Sequence, residues 1–162
     1  MALNQLQISQ IWENMLSAET RSLYFGDLAS RYTLQKQWIT GASFFLSSGA
    51  AATVIAESPR WVPAILAIAV AVATAYSMAV NLDGKIKTMV KLYSSWDRIA
   101  ADYTRLWSHT YADDAEAQMY DIMQRAKEPS ELATTEAPND RALLDKWEGR
   151  VFALHGLTDQ HV

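Results

Sequence analysis

Two long runs without a charged residue constrain this chain more than any other feature. Between Lys36 and Glu57 stand 20 uncharged residues, QWITGASFFLSSGAAATVIA, and between Arg60 and Asp83 stand 22, WVPAILAIAVAVATAYSMAVNL. A bilayer core of about 30 Å needs about 20 helical residues at about 1.5 Å each. The sequence therefore predicts an all-α membrane protein with a two-transmembrane helical hairpin, whose spans cover about 38–56 and 61–82. A buried hairpin in a globular core is the alternative, but it would need more covering protein than 162 residues provide.

Basic residues flank both runs and predict the orientation of the hairpin. The flanking set comprises Arg31, Lys36, Lys85, Lys87, Lys91 and Arg98, whereas the connecting turn holds only Arg60 beside Glu57. Because basic flanks stay cytoplasmic, both termini are expected in the cytoplasm. The predicted segments are N-terminal cytoplasmic helices in 1–37, the hairpin in 38–82, and a long helix plus a C-terminal helix in 83–162, which form a cytoplasmic bundle or cap.

Hydroxyl and amide side chains recur at helical spacing within the predicted spans. The candidates for lining a pore are Ser43, Ser47, Thr74, Ser77 and Asn81. Small and hydroxylated residues also permit close helix packing, so a packing surface is the alternative. Polar groups in membranes tend to face cavities, and a water-filled path between several subunits is the sharper hypothesis.

The chain after Asp83 has the apolar spacing of a bundle helix. One face holds Met89, Leu92, Trp96, Ile99, Tyr103 and Leu106, and a parallel stripe holds Ile86, Tyr93, Ala100 and Trp107. A face this broad favours a multi-helix bundle. We expect the second span to continue directly into this helix, which ends near Lys127 before a polar connector. A last helix is expected from about Asp140 to Leu154, with Asn139 or Asp140 as its N-cap.

The N-terminal segment also has helical spacing. Leu3, Leu6, Ile11 and Met15 predict a helix that packs on the long helix, lies at the membrane surface or plugs a channel entrance. A second short helix is expected from about Asp27 into the first span.

No catalytic, cofactor or metal site is predicted, and an enzyme is not expected. The chain has no cysteine, which excludes disulfides and thiolate chemistry. It also lacks a glycine-rich phosphate loop and a nucleophile elbow. His109, Asp113 and Glu116 could share a helix face, but that set lacks a second histidine ligand.

Two groups of basic residues are candidates for binding a ligand. Arg98 and Arg105 lie seven residues apart, too far along the helix for attraction to lipid headgroups. Arginine binds phosphate oxygens in a two-pronged contact, although Asp102 between the two arginines could simply pair with them. Lys146 and Arg150 flank Trp147, whose indole could stack on a base.

The order of these elements resembles the SLATT family of bacterial two-transmembrane proteins, which are associated with nucleotidyltransferase-like and SLOG nucleotide-sensing proteins. The resemblance rests on Arg31-Tyr32 and Trp38 before the first span, the short hairpin, and the entry NLDGKIKTMVKLYSSW. It implies an antiviral effector of the bacterial inner membrane that forms pores under the control of a nucleotide-type signal.

Two functional hypotheses follow. In the first, a homo-oligomer such as a tetramer forms a channel in the lipid bilayer, and a nucleotide or oligonucleotide made by a neighbouring nucleotidyltransferase-like protein controls it. Opening would depolarise the membrane and arrest growth during phage infection. In the second, the protein is a non-conducting membrane anchor or adaptor that recruits a soluble partner. The identity of the ligand, the direction of its effect, the stoichiometry and the ion selectivity stay open.

Overall fold

Residues 3–47, 59 and 61–157 are described in the structure of this protein, which is a computed structural model. Helices account for most of these residues and none of the residues forms a strand, in agreement with the all-helical part of the prediction. The helices are α1 Gln5–Ser47, α2 Trp61–Ala79, α3 Leu82–Trp107, α4 Ala115–Arg125, α5 Lys127–Glu136 and α6 Arg141–Leu154.

The predicted two-transmembrane hairpin is wrong. Among the described residues, no helix is both long enough and apolar enough to cross a membrane. The uncharged part of α1 after Lys36 is described for 11 residues, which rise only about 16 Å. Helix α2 has 19 residues and rises about 28 Å. Residues 48–56 of the first predicted span lie outside the described part of the chain.

The continuous helix expected from the second span into the long helix is also wrong, because a turn at residues 80–81 separates α2 from α3. Asn81 is the last residue of that turn. Its backbone has a φ of +48°, a left-handed conformation that asparagine tolerates better than most residues. Its side-chain Oδ1 accepts a hydrogen bond from the Gly84 backbone N–H at 3.2 Å. That contact caps the first turn of α3 and satisfies one N–H that has no partner within the helix.

The chain divides into two compact units. The bundle unit comprises Met1–Leu28 with Thr88–Val162, and the apolar unit comprises Ala29–Lys87. Helices α1 and α3 each contribute to both units. The cores and surfaces of the two units are described separately below.

The core of the bundle unit is built on the predicted face of α3. Met89, Leu92, Trp96, Ile99, Tyr103 and Leu106 are all buried, with at most 4% of their surface exposed. The parallel stripe is less buried than a broad face requires, because Tyr93 and Trp107 are 40% and 39% exposed. The buried surface of α3 is therefore one narrow face of heptad spacing.

The N-terminal part of α1 packs into the same core, as one of the sequence alternatives predicts. Its buried apolar residues include Ile11, Met15, Leu16, Phe25 and Leu28. Leu6 is the exception at 76% exposed. The separate short helix expected from Asp27 is wrong, since α1 runs unbroken from Gln5 to Ser47.

Two predicted boundaries on the C-terminal side are wrong. The long helix does not reach Lys127, because a turn over 108–114 separates α3 from α4. The expected polar connector, ELATTEAPND at 131–140, is helical as far as Glu136, because it lies partly in α5, which has Pro129 in its first turn. Proline is tolerated there because the first N–H groups of a helix have no intrahelical acceptor.

Helix α6 begins and ends where the sequence predicts. The Asp140 side chain accepts a hydrogen bond from the Leu143 backbone N–H at 3.1 Å, and Gly156 follows the helix with a φ of +72°. Two contacts hold this region against α1. The Tyr24 hydroxyl donates to the Pro138 carbonyl at 2.5 Å, and the Trp147 indole N–H donates to the Asp27 carboxylate at 3.1 Å.

Candidate functional site

The apolar unit exposes large apolar side chains along α2 and along its part of α1. On α1 these are Leu34, Trp38, Phe44 and Phe45, and on α2 they are Trp61, Ile65, Ile68, Val72, Tyr76 and Met78, each at least half exposed. Isolated exposed apolar residues are common on proteins, but a concentration of them marks a surface for a membrane or a protein partner. This surface is called the apolar surface below.

The two units differ in the sign of their charge. The apolar unit carries five basic and two acidic residues, whereas the bundle unit carries nine basic and sixteen acidic residues. The chain's net charge of -4 therefore combines +3 in one unit with -7 in the other. In the apolar unit Lys36 pairs with Asp83 at 2.5 Å, and the Lys85 ammonium lies 5.8 Å from the centre of the Tyr32 ring. An anionic surface would be attracted to the apolar unit and repelled by the bundle unit.

Three of the five predicted pore-lining residues, Ser43, Thr74 and Asn81, have side chains that the structure describes. Ser43 donates its hydroxyl to the backbone carbonyl of Ile39 at 2.8 Å, and Asn81 caps α3. Thr74 is exposed on α2. The side chains of Ser47 and Ser77 lie outside the described part of the structure. The polar groups of Ser43 and Asn81 thus satisfy the backbone of their own helices.

Lys146, Trp147 and Arg150, predicted as one ligand site, do lie together on α6. The Lys146 ammonium is 4.9 Å and the Arg150 guanidinium 5.2 Å from the centre of the Trp147 ring. Asp27 already engages two members of the cluster, since its carboxylate lies 3.6 Å from the Lys146 ammonium and accepts from the Trp147 indole N–H. The indole therefore fixes α6 against α1, which accounts for the cluster without a ligand.

The predicted pair Arg98 and Arg105 is not a shared site. Arg105 lies 3.3 Å from Asp102, which also binds Arg125 at 2.6 Å, whereas Arg98 has no ion-pair partner within the described ranges. The hydrogen bond to Asp102 is the main cause that raises the pKa of the Arg125 guanidinium. Asp102 thus ties α3 to α4, as the pairing alternative for Arg105 predicts.

Sequence reasoning missed Arg21, which borders three cavities of the bundle unit. The guanidinium of Arg21 lies 4.6 Å from the centre of the Trp96 ring, in cation–π contact. Although Arg21 keeps an exposed surface, the surrounding protein removes enough water to lower the pKa of the guanidinium. The cavities it borders have volumes of about 340, 540 and 230 Å³. Arg21 is also the first basic residue of the chain, which is the one sequence signal that singles it out.

The smallest of these cavities is called the Trp96 cavity below. It is lined by Arg21, Trp96, Asn14 and Tyr103 among others, and none of its described lining residues is acidic. Burial raises the pKa of the Tyr103 hydroxyl, and a hydrogen bond with Asn14 acts in the opposite direction. Glu13 and Glu148 line the first of the other two cavities, and Asp140 lines the second. The Trp96 cavity is thus the one whose charge favours an anion.

Histidine and acidic side chains do not assemble into a metal site anywhere in the described ranges. His109 lies 2.9 Å from the Arg105 carbonyl through its Nδ1, and His155 lies 2.8 Å from the Glu19 carboxylate through its Nε2. Both imidazoles therefore have protein partners.

Comparison with known proteins gives no relative. No protein-family model, no curated protein and no solved structure matches this chain. The resemblance to the SLATT family and the antiviral function that it implies stay predictions, whereas the two-transmembrane hairpin that it also implies is the part contradicted above.

Proposed function

We propose that this protein is a membrane adaptor that docks on anionic lipid bilayers through its apolar unit and carries its helical bundle unit to the membrane. The observation that carries the proposal is the apolar surface of ten large side chains, each at least half exposed. Moving such side chains from water into an apolar phase gives roughly 1.5–3 kcal/mol for each fully buried residue.

Charge favours a lipid surface over a second copy of the chain as the occupant. The apolar unit has a net charge of +3, so two copies would repel one another, whereas an anionic headgroup layer would attract it. Each lysine or arginine near an anionic membrane contributes about 1 kcal/mol to binding. Trp38 and Trp61, 78% and 64% exposed, are suited to the headgroup zone.

Docking of this kind does not need a helix that crosses the bilayer. Helices bound at an interface bury their apolar side chains about 5–10 Å into the boundary between headgroups and acyl chains. The internal hydrogen bond of Ser43 and the capping role of Asn81 fit the adaptor hypothesis better than a pore lining. In this proposal the bundle unit is the part that engages a soluble partner.

Vesicle flotation tests the proposal. We expect the protein to float with vesicles that contain anionic lipid, and to do so less with purely zwitterionic vesicles or in high salt. The double variant Ile68→Ser/Val72→Ser should lose binding, because both residues are 63% exposed in the apolar surface. Leu6→Ser is the matched control, since Leu6 is 76% exposed but belongs to the bundle unit.

Equal flotation of the double variant and the control would contradict lipid docking. Sedimentation in the absence of lipid tests the other possible occupant of the apolar surface, which is a second copy of the chain. If wild-type protein forms oligomers that the double serine variant abolishes, while flotation is unchanged, a second copy covers the apolar surface instead.

A further inference from the structure

One end of the bundle unit brings aromatic side chains of three helices into contact. The Trp12 ring, near the start of α1, lies 5.0 Å from the ring of Trp107, the last residue of α3. It also lies 5.4 Å from the ring of His155, which directly follows α6. These three rings and Tyr111, in the turn that follows α3, are called the aromatic end below.

The aromatic end is exposed to solvent. Trp107 is 39% and Tyr111 is 83% exposed, and Leu154, which directly precedes His155, is 67% exposed. Tryptophan and tyrosine contribute more binding energy to protein interfaces than most residues do, because their rings supply a large and rigid contact area. The side chains at this end are therefore suited to a protein partner.

Carboxylates surround the aromatic end. They belong to Glu13, Glu19, Asp113, Asp114 and Glu116. The Glu19 carboxylate lies 2.8 Å from His155 Nε2, and Gln7 Nε2 donates to Glu116, in the first turn of α4, at 3.5 Å. Asp113 and Asp114 are exposed in the same turn as Tyr111. The rings and the carboxylates thus belong to one continuous region of the bundle unit.

The segments that carry these carboxylates contain no basic residue. Neither 3–20 nor 106–120 includes a lysine or an arginine. The next basic residue on α3, Arg105, pairs with Asp102 at 3.3 Å. On α1 the next is Arg21, which lies about 13 Å further along the helix than the α1 tryptophan. The charge of this region therefore attracts cations and repels anions.

We propose that the aromatic end binds a basic segment of a soluble protein partner, in which arginine or lysine side chains alternate with apolar ones. The cationic groups stack on the exposed rings of Trp107 and Tyr111 and pair with the neighbouring carboxylates, while the apolar groups cover Leu154. The inference rests on the proposed function and deepens it, because it names the part of the bundle unit that engages the partner and the charge of that partner.

The same charge disfavours the other occupants of this surface. An anionic membrane and the aromatic end of a second copy would both bring negative charge against five carboxylates. A basic protein segment brings the opposite charge, and cation–π contacts with tryptophan and tyrosine add to the attraction.

Binding of a synthetic peptide in the absence of vesicles tests the inference. The probe is an amphipathic helical peptide of leucine and arginine, and its control has glutamate in place of every arginine. Calorimetry with the whole chain should show saturable binding of the arginine peptide alone, and high salt should weaken it. In nitrogen-15 NMR, the indole N–H resonances of Trp12 and Trp107 should shift, whereas that of Trp147, which donates to Asp27, should stay in place.

Tyr111→Ala should weaken binding of the arginine peptide about 5- to 30-fold, as expected of an aromatic residue that contributes strongly to an interface. Tyr93→Ala is the control, because Tyr93 is 40% exposed on α3 but lies 14 residues before Trp107, about 21 Å away along the helix. It should change the affinity by less than about twofold, as most residues outside an interface do.

A second pair of variants tests the contribution of charge. Asp113→Asn/Asp114→Asn should weaken binding about 3- to 10-fold at low salt, and less at high salt. Glu131→Gln/Glu136→Gln removes the same charge from exposed positions on α5 and should have a smaller effect.

Absence of saturable binding by the arginine peptide would overturn the inference, as would equal weakening by Tyr111→Ala and Tyr93→Ala. If sedimentation shows that the protein alone forms oligomers that Tyr111→Ala abolishes, a second copy occupies the aromatic end and the inference is also overturned. Because no lipid is present in these experiments, their failure is distinct from a failure of vesicle flotation, which tests lipid docking.

Discussion

Removal of the Tyr24 hydroxyl is the most specific test of how the bundle unit is held together. Tyr24 is 5% exposed on α1, and its hydroxyl donates to the Pro138 carbonyl and accepts from the Asp140 backbone N–H at 3.2 Å. Both partners belong to the short segment between α5 and α6. One oxygen atom on α1 therefore fixes the segment that positions α6.

Tyr24→Phe removes both hydrogen bonds and keeps the ring. Each hydrogen bond contributes about 0.5–1.5 kcal/mol net, so the free energy of unfolding should fall by roughly 1–3 kcal/mol. For a chain of this size, a loss of about 2 kcal/mol corresponds to a decrease in Tm of roughly 4–8 °C. Urea denaturation and calorimetry measure the two quantities. Limited proteolysis should also cleave the segment 137–140 faster in the variant.

Tyr111→Phe is the matched control, because Tyr111 is 83% exposed in the turn between α3 and α4. It should change the free energy of unfolding by less than about 0.5 kcal/mol, the usual range for surface substitutions. If the two phenylalanine variants have the same stability and the same cleavage rate, the proposed tether between Tyr24 and the segment before α6 does not exist.

Three further substitutions test the helices separately. Leu92→Ala should destabilise the bundle unit by about 2–5 kcal/mol in urea denaturation, because Leu92 is fully buried. Val90→Ala is the control and should have a much smaller effect, since Val90 is 48% exposed. Equal effects would contradict the assigned buried face of α3. Asp102→Asn should lower the free energy of unfolding by roughly 0.5–2 kcal/mol at low salt, since Asp102 pairs with two arginines. Asp97→Asn is the exposed control, and the difference in stability between the two variants should shrink in high salt. Asn81→Ala should speed hydrogen exchange in the first turn of α3 and cost roughly 1–3 kcal/mol, from the lost cap and the left-handed backbone. Asn81→Gly also lacks the cap but tolerates the left-handed backbone, so it should cost only a few tenths. If exchange in Asn81→Ala equals exchange in the wild type, the capping role is refuted.

The parts of the fold that the sequence predicts well are those set by local patterns. The heptad spacing from Met89 to Leu106 identifies the buried face of α3, because burial of one helix face imposes a period near 3.6 residues. The start of α6 is equally local, since Asp140 caps the helix that follows it.

The errors arise where local signals are absent or ambiguous. The turn over 108–114 contains neither glycine nor proline, the residues that mark a break between helices most strongly. A proline such as Pro129 is compatible both with the end of one helix and with the first turn of the next, where it lies in this protein. The length of an uncharged run predicted a membrane hairpin, but length alone does not define where a helix begins and ends.

The candidate site could not be predicted because it depends on contacts between distant parts of the chain. Arg21 and Trp96 meet only once α1 packs against α3, and neither residue belongs to a motif. The ligand candidates Lys146, Trp147 and Arg150 could be grouped because they lie within one turn and a half of a single helix. The Asp27 contact that explains this cluster comes from α1, far away in the sequence.

A single fluorescent label on the apolar surface tests lipid docking most directly. The chain has no cysteine, so Ile68→Cys and Leu6→Cys each accept one environment-sensitive fluorophore without a background site. With anionic vesicles, the account predicts a blue shift and quenching by lipid-borne quenchers for the label at position 68 but not for the label at position 6. Identical spectra at the two positions, with and without vesicles, would contradict it.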